Sequence, residues 1–265
     1  MSEWEVFAVK YADRNARTRT DSFVFDDNHN APHPMDYFIW VLRSGDRTIL
    51  VDSGYDAAEA AARDRPILRD PRDALKPLGI AAEAITDLVV THLHYDHAGG
   101  LHLFPNARLH MQEAEMVYAT GPCMCHDVLR MPFTGAHVCE AVRRLYGGKL
   151  TFYAGDAELA EGVTLHRIGG HSRGLQAVRV RTRAGWLVLA SDASHFYENF
   201  WYGKPFPIVV DLQDMLDGFD TLRCLASRPE LIVPGHDPLV LRFFETGPAS
   251  YIARLDLGPV TTVVP

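Results

Sequence analysis

Thr91-His92-Leu93-His94-Tyr95-Asp96-His97-Ala98-Gly99-Gly100 is the stretch on which the fold is decided. It closes an apolar run, Ile85 to Thr91, that is short enough for a buried strand. If strand geometry continued, His92 and His94 would project to one side, because side chains alternate along a strand. Asp96 and His97 follow as the backbone turns, and Gly99 and Gly100 are expected to let the chain pack close to a bound ion. Histidine is the commonest metal ligand at neutral pH, and a carboxylate supplies charge that balances a dication. One histidine among the 13 in the chain would carry no message. Four ligand-type side chains within six residues at a strand end point to a metal site.

Working outward, Trp4 to Val9, Tyr37 to Leu42 and Thr48 to Val51 read as strands, with a hairpin turn at Ser44-Gly45-Asp46. Asp52-Ser53-Gly54 ends the third, and helices are expected at Ala57 to Arg65 and at Asp73 to Leu78, the latter stopped by Gly79. Past the histidine cluster, Ala107 to Met111 reads as a strand, and Glu113 to Tyr118 and Val138 to Tyr146 as helices. Strands then dominate at Leu150 to Tyr153, Val163 to Ile168, Ala177 to Thr182 and Trp186 to Ala190. Leu212 to Leu225 has the three-and-four apolar spacing of an amphipathic helix, and Leu231 to Val233 is a short strand before Gly235-His236. The segment Met111 to Pro132 beyond its first helix has no clear pattern. Two strand-rich halves, each followed by helices, predict stacked mixed sheets covered by helices on their outer faces, in one domain over residues 1–265.

Composition narrows the function classes. Apolar residues make up 47% and charged residues 23%, the balance of a globular protein with a sizeable core. The formal charge of −8, from 34 acidic and 26 basic side chains without a block of one sign, argues against nucleic acid as a partner. The start Met1-Ser2-Glu3-Trp4-Glu5-Val6 has no basic region before an apolar core, and no run of 18 apolar residues occurs. A cytoplasmic protein without membrane partners is expected, with Cys123, Cys125, Cys139 and Cys224 reduced. Cys123-Met124-Cys125-His126 contains zinc-ligand types but lacks the matching second pair of a structural zinc site, and a loop with incidental thiols is the simpler alternative.

The H-x-H-x-D-H pattern of His92, His94, Asp96 and His97 resembles the signature of the metallo-β-lactamase superfamily. The resemblance covers nearly the whole chain. Its other elements occur in order: Asp52-Ser53-Gly54, Gly169-Gly170-His171-Ser172, Ser191-Asp192 and Pro234-Gly235-His236-Asp237. It implies an α/β fold, an αββα sandwich of two mixed β-sheets flanked by helices, with the site at one edge. It also implies two divalent metal ions, one held by His92, His94 and His171, the other by Asp96, His97 and His236, with Asp192 between them. Zn2+ suits the all nitrogen and oxygen ligand set, which also admits Mn2+, Fe2+ or Co2+. In the family Asp52 would orient ligands, although a turn residue is an equal alternative. Two dications roughly 3.5–4 Å apart would share a hydroxide and polarise a carbonyl, with Asp96 also passing a proton to the leaving oxygen.

Within the superfamily, Asp192 argues against true β-lactamases, and His94 against flavodiiron oxidoreductases, which have a glutamate there. The motifs most resemble the N-acyl-homoserine lactone lactonases, which implies a small-molecule lactone substrate, quorum quenching, and a monomer or homodimer. Tyr95 matches an aromatic position lining the lactonase acyl pocket. Lactonases often carry a tyrosine three residues after the bridging aspartate, where this chain has His195. Either His195 donates to the substrate carbonyl in its place, or it faces elsewhere while Tyr197 fills the space. Phe196, Tyr197, Phe200, Trp201 and Tyr202 follow Asp192 so densely that they offer a substrate-facing aromatic wall for an apolar or aromatic moiety, although most of the five are expected to pack in the core. The rival readings are a glyoxalase II-like thioesterase, against which only 29 residues follow His236, and a mononuclear iron sulfur dioxygenase.

Overall fold

The computed structural model describes residues 3–262. Its first sheet contains strands β1 (Glu5–Arg14), β2 (Met35–Ser44), β3 (Arg47–Val51), β4 (Asp87–Val89), β5 (Arg108–Gln112) and β6 (Leu150–Tyr153). Two short strands near the C-terminus, β12 (Glu245–Thr246) and β13 (Ile252–Arg254), extend it, giving the order β12-β13-β1-β2-β3-β4-β5-β6. The second sheet contains β7 (Ala157–Ala160), β8 (Val163–Arg167), β9 (Gln176–Thr182), β10 (Gly185–Ser191) and β11 (Ile232–Pro234), in the order β11-β10-β9-β8-β7. Both sheets are mixed. β3 through β6 run parallel, as do β10 and β11, and the remaining pairs are antiparallel.

The alternation along β1 and β2 explains the layering. Phe7, Val9, Tyr11, Tyr37, Ile39 and Val41 face one way, into a core completed by helices α1 (Ala57–Arg63), α2 (Pro71–Leu75), α4 (Glu113–Thr120) and α6 (Gly135–Tyr146). Val6, Ala8, Phe38, Trp40 and Leu42 face the other way, against Val178, Val180, Leu187 and Leu189 of the second sheet. A strand buried on both faces reads as a continuous apolar run. That is the character of Tyr37 to Leu42. Helix α8 (Leu212–Leu225) closes the far side through Met215, Phe219 and Leu222, and Asp211 caps it by accepting from the Gln213 and Asp214 amides at 3.0 and 3.1 Å. The result is the expected αββα sandwich. No helix among the described residues is long and apolar enough to cross a membrane.

Several elements depart from the sequence expectation. The strand over Ile85 to Thr91 shortens to β4, because Ala82–Ala84 form a 3-10 turn before it and the chain leaves the sheet after Val89. Met111 to Pro132 resolves into α4, a 3-10 turn at Pro122–Cys125 and the single turn α5 (Asp127–Arg130). Strands β7, β12 and β13 have too few residues to show a pattern.

Between β1 and β2, residues 15–34 cross one end of the sandwich with little regular structure. Ion pairs fix this loop: Arg19 meets Asp26 and Glu198 at 2.7 Å each, and Lys204 meets the same two carboxylates at 3.3 and 3.2 Å. Glu198 lies on α7 (Tyr197–Tyr202), so the loop is anchored to the segment that follows Asp192. The hydrogen bonds from Arg19 hold the Glu198 carboxyl down at about 2, against an ordinary 4.5, and Asp26 is likewise depressed by Arg19. A depressed carboxylate stabilises the fold above its unfolded value and loses that contribution as pH falls through its folded value. Wild-type protein should therefore melt roughly 2–4 °C above Glu198→Gln at neutral pH, about 1 kcal/mol after allowance for solvent screening. The gap should close between pH 4.5 and about 2. Melting curves of both proteins across that range test it, and a pH-independent gap would contradict the assignment.

Candidate metal centre and its cavity

Parallel neighbours put their C-terminal ends at the same edge, and the ligand-type residues follow those ends. Asp52 follows β3, His92 lies three residues beyond the end of β4, Asp192 follows β10, and His236 lies beyond β11. His171 comes from the turn after β8. His94 precedes the one-turn helix α3 (Tyr95–Ala98), which carries Asp96 and His97. Gly99 and Gly100 serve a purpose other than the expected approach to an ion. A Cβ on Gly100 would lie 2.3 Å from the Ser53 carbonyl oxygen, and one on Gly99 would lie 2.6 Å from Tyr55 Cβ. These glycines let the helix seat against the end of β3, where Ser53 accepts and donates across the contact.

Hydrogen bonds on the outer side of each ring decide which nitrogen faces inward. His97 Nδ1 lies 2.7 Å from Asp52 Oδ2, His236 Nδ1 lies 2.8 Å from the Asp36 carbonyl, and His171 Nδ1 lies 2.7 Å from the Ile208 carbonyl. Those oxygens can only accept, so each Nδ1 donates outward and each Nε2 points inward. Asp52 is thus the orienting carboxylate, not a mere turn residue. Its other contacts, from the Thr91 amide and hydroxyl at 2.8 Å each, tie β3 to the cluster, and it holds an unfavourable φ of 60° to do so.

The inward atoms form overlapping groups. Donor atoms of His92, His94 and His171 lie within 4.8 Å of one another, as do those of Asp96, His97 and His236. Asp192 faces both: Oδ2 is 3.2 Å from His171 Nε2 and 3.8 Å from His92 Nε2, while Oδ1 is 3.2 Å from His97 Nε2 and 3.0 Å from His236 Nε2. His92 Nε2, His97 Nε2 and Asp192 Oδ1 are buried without any hydrogen-bond partner. Lone pairs crowded on lone pairs in a dry site demand positive charge between them. The titration directions agree. Burial opposes charge on His97 and His236, yet Asp192 and neighbouring carboxylates push both upward, while burial and adjacent histidines push His92 and His94 far down. The donor set of nitrogen and carboxylate oxygen fits divalent cations.

A cavity of about 370 Å³ opens over this cluster. Tyr95 lines it as expected, with its hydroxyl 3.4 Å from that of Tyr37. His195 also lines it, stacked on Phe206 with ring centroids 3.8 Å apart, and its Nε2 is 2.9 Å from Asp192 Oδ2. Burial lowers this imidazole to about 3, so it is neutral and carries one N–H. That proton points to Asp192, which leaves an acceptor at Nδ1 instead of the expected tyrosine-like donor. Tyr197 corrects the alternative: it is fully buried between the second sheet and Phe243, outside the cavity, because it opens α7 on its core-facing side. Phe196 and Phe200 are core residues, whereas Tyr202 is exposed.

Sequence reasoning missed Glu115, Phe206 and Tyr37. Glu115 is fully buried and accepts from the Leu93 amide at 2.9 Å, the Gly174 amide at 2.9 Å and the Ser172 hydroxyl, so one carboxylate joins the His92–His94 loop to the His171 loop. Gly174 must be glycine for that approach, since a Cβ would lie 2.1 Å from the Glu115 amide nitrogen. Cys123 is partly buried and Cys125 exposed, both as free thiols, and neither belongs to the metal-ligand clusters found among the described residues.

The sequence model of the metallo-beta-lactamase superfamily matches residues 34–236. An N-acyl homoserine lactonase of Bacillus cereus is 30% identical over 169 residues, 63% of this chain and 58% of that relative's length. The N-acyl homoserine lactonase AttM of Rhizobium johnstonii is 30% identical over 191 residues, 68% of each chain. Among solved structures, an N-acyl homoserine lactone hydrolase with the product N-hexanoyl-L-homoserine bound at the catalytic metal center superimposes with a TM-score of 0.77 at 21% identity, over 94% of this chain and 99% of that one.

The orienting role of Asp52 has a measurable consequence. Asp52→Ala frees the His97 ring, and loss of such an outer contact weakens metal affinity about 10–100-fold. Competition with a chelator of known affinity should show this loss together with a retained circular dichroism spectrum. Wild-type affinity in the variant would contradict the role.

Proposed function

Because the chain belongs to the metallo-beta-lactamase superfamily, we propose that it is a metal-dependent hydrolase that opens a lactone ring, an N-acyl-homoserine lactone or a related one. The observation that carries this reading is Asp192 set between two histidine-rich clusters in the wall of an open cavity. The lactonases among its relatives support the choice of reaction. Zinc is the favoured metal, and Mn2+, Fe2+ or Co2+ suit the same donors.

Two divalent ions held by these sets would supply Lewis acidity toward the carbonyl and a water acidified toward neutrality. The chain's own groups do the rest. His195 donates to Asp192 and stacks on Phe206, which fixes the carboxylate's orientation between the two clusters. Tyr37 is held at about 12 by burial and the nearby Asp96 charge, and Tyr95 is raised well above its ordinary value by the same causes. Both phenols therefore stay protonated, and Tyr95 would donate to the carbonyl oxygen as charge develops there. Asp96, whose side chain is 12% exposed at the cavity, would take a proton from the adding water and pass it to the ring oxygen as the acyl–oxygen bond breaks. Water adds to the carbonyl carbon, and the products are an alcohol and a carboxylate with one proton released.

Protein loaded with zinc, manganese or cobalt should therefore acidify a weakly buffered solution of a suitable lactone, one proton per ring opened. His97→Ala and Asp192→Ala should each reduce this to background with the fold retained. Acid release undiminished in either variant would exclude this site. Turnover of thioesters with no lactone opened would instead favour the thioesterase reading, and oxygen uptake with one iron per chain the dioxygenase.

A further inference from the structure

Part of the cavity wall is cationic. Arg14, Arg17, Arg63 and Arg65 line it, all from segments that flank the site rather than form it. Arg63 is committed elsewhere: it pairs with Glu59, donates to the carbonyls of Met131 and Phe133, and lies over the Tyr95 ring at 4.2 Å. The other three form no ion pair among the described residues. Arg17 is only 8% exposed, and its contacts are two neutral oxygens, the Asp21 carbonyl at 2.6 Å and the Ser22 hydroxyl at 3.4 Å. The Nε atoms of both Arg17 and Arg65 are buried without a partner.

A guanidinium kept in a dry wall with no counter-anion is costly, and protein folds ordinarily pair or expose it. Burial indeed pulls Arg17 below its ordinary value, with Arg14 adding to the effect and Tyr37 and Asp21 opposing it. The acidic groups at the cavity offset the cluster only in part, Asp21 acting through space and without an ion pair to it. Asp96 and Asp192 belong to the metal sets, and Asp21 is engaged by the Thr18 amide and hydroxyl at 2.9 and 3.3 Å. A neutral acyl chain would leave these donors as they are. A planar carboxylate matches the guanidinium fork in shape and charge.

We infer that the lactone opened here carries a carboxylate, held by Arg17 with Arg14 and Arg65 beside it, while the ring lies against the histidine clusters. This rests on the lactonase reading and deepens it: the product would be a hydroxy dicarboxylate. Arg17 is a substrate-binding residue in this scheme, and the apolar wall of Met131, Pro132 and Ile208 would take the connecting carbons.

The test uses γ-lactones bearing a carboxylate directly or on short alkyl chains, each paired with its primary carboxamide. In metal-loaded wild-type protein, kcat/KM should favour the carboxylate of at least one pair by about tenfold or more, with the preference falling as salt rises. Arg17→Leu should bring that ratio near one, and Arg17→Lys should restore it only in part, since the ammonium lacks the fork. Should Arg17→Leu fail to fold, Arg14→Gln, at a partly exposed position, should still lower the ratio about threefold. Amides or long-chain neutral lactones turned over as well as the carboxylates, or a ratio unchanged by these substitutions, would overturn the inference. If wild-type protein opens no lactone, the lactonase reading falls, and calorimetry with the ring-opened dicarboxylates against their monoamides decides the anion site by itself. Tighter dicarboxylate binding that Arg17→Leu abolishes supports it, and equal binding refutes it.

Discussion

Every other arrangement in this protein answers to one electrostatic constraint: the inward Nε2 atoms of His97 and His236 face a single oxygen of Asp192 at 3.2 and 3.0 Å. With their outer nitrogens held by Asp52 and the Asp36 carbonyl, these rings turn their remaining nitrogens onto one buried carboxylate, which draws positive charge into the site. His171 repeats the pattern toward the second oxygen. Such a site is unstable by itself and becomes stable around cations, so the surrounding polypeptide must hold it rigidly enough that the groups cannot turn away.

That rigidity comes from carboxylates and amides one layer out, each bridging parts of the chain remote in sequence. Asp52 links the ends of β3 and β4 to the His97 ring, and Glu115 links the loops of His94 and His171. Gln176, fully buried on the second sheet, donates to the Val90 and His110 carbonyls on the first, so the two sheets are registered directly beneath the cluster. The Asp36 amide and carbonyl both meet His236, which pins the last ligand to β2. The parallel pairing of β3 with β4 and of β10 with β11 places the four strand ends at one edge.

What the sequence made legible follows from how local each signal is. His92, His94, Asp96 and His97 lie within one turn of chain, so their spacing alone announces a metal site, and the strand ends before Asp52, Asp192 and His236 carry compact motifs. The two-sided burial of β1 and β2 is written in unbroken apolar runs. Glu115, Gln176 and Arg17 were silent because a lone polar residue in a helix, strand or loop looks like surface until the fold buries it. Tyr197 misled for the opposite reason: it stands next to the site in sequence, but the helix it opens turns it into the core. Gly99 and Gly100 were legible as close-packing residues, although their neighbour is the end of β3 and not an ion.

The loop of residues 15–34 contributes Arg17, Thr20 and Asp21 to the cavity yet supplies none of the eight clustered histidines and aspartates. It is joined to the sandwich through Arg19, Asp26, Glu198 and Lys204, a clasp separate from the centre it overhangs. The clustered ligands and this part of the cavity wall thus come from different stretches of the chain. Substitutions, insertions or deletions in the loop can change what the protein admits while the costly machinery beneath is inherited intact. Divergence among relatives of this architecture should accordingly accumulate first in that overhang, as a record of the molecules each lineage has met.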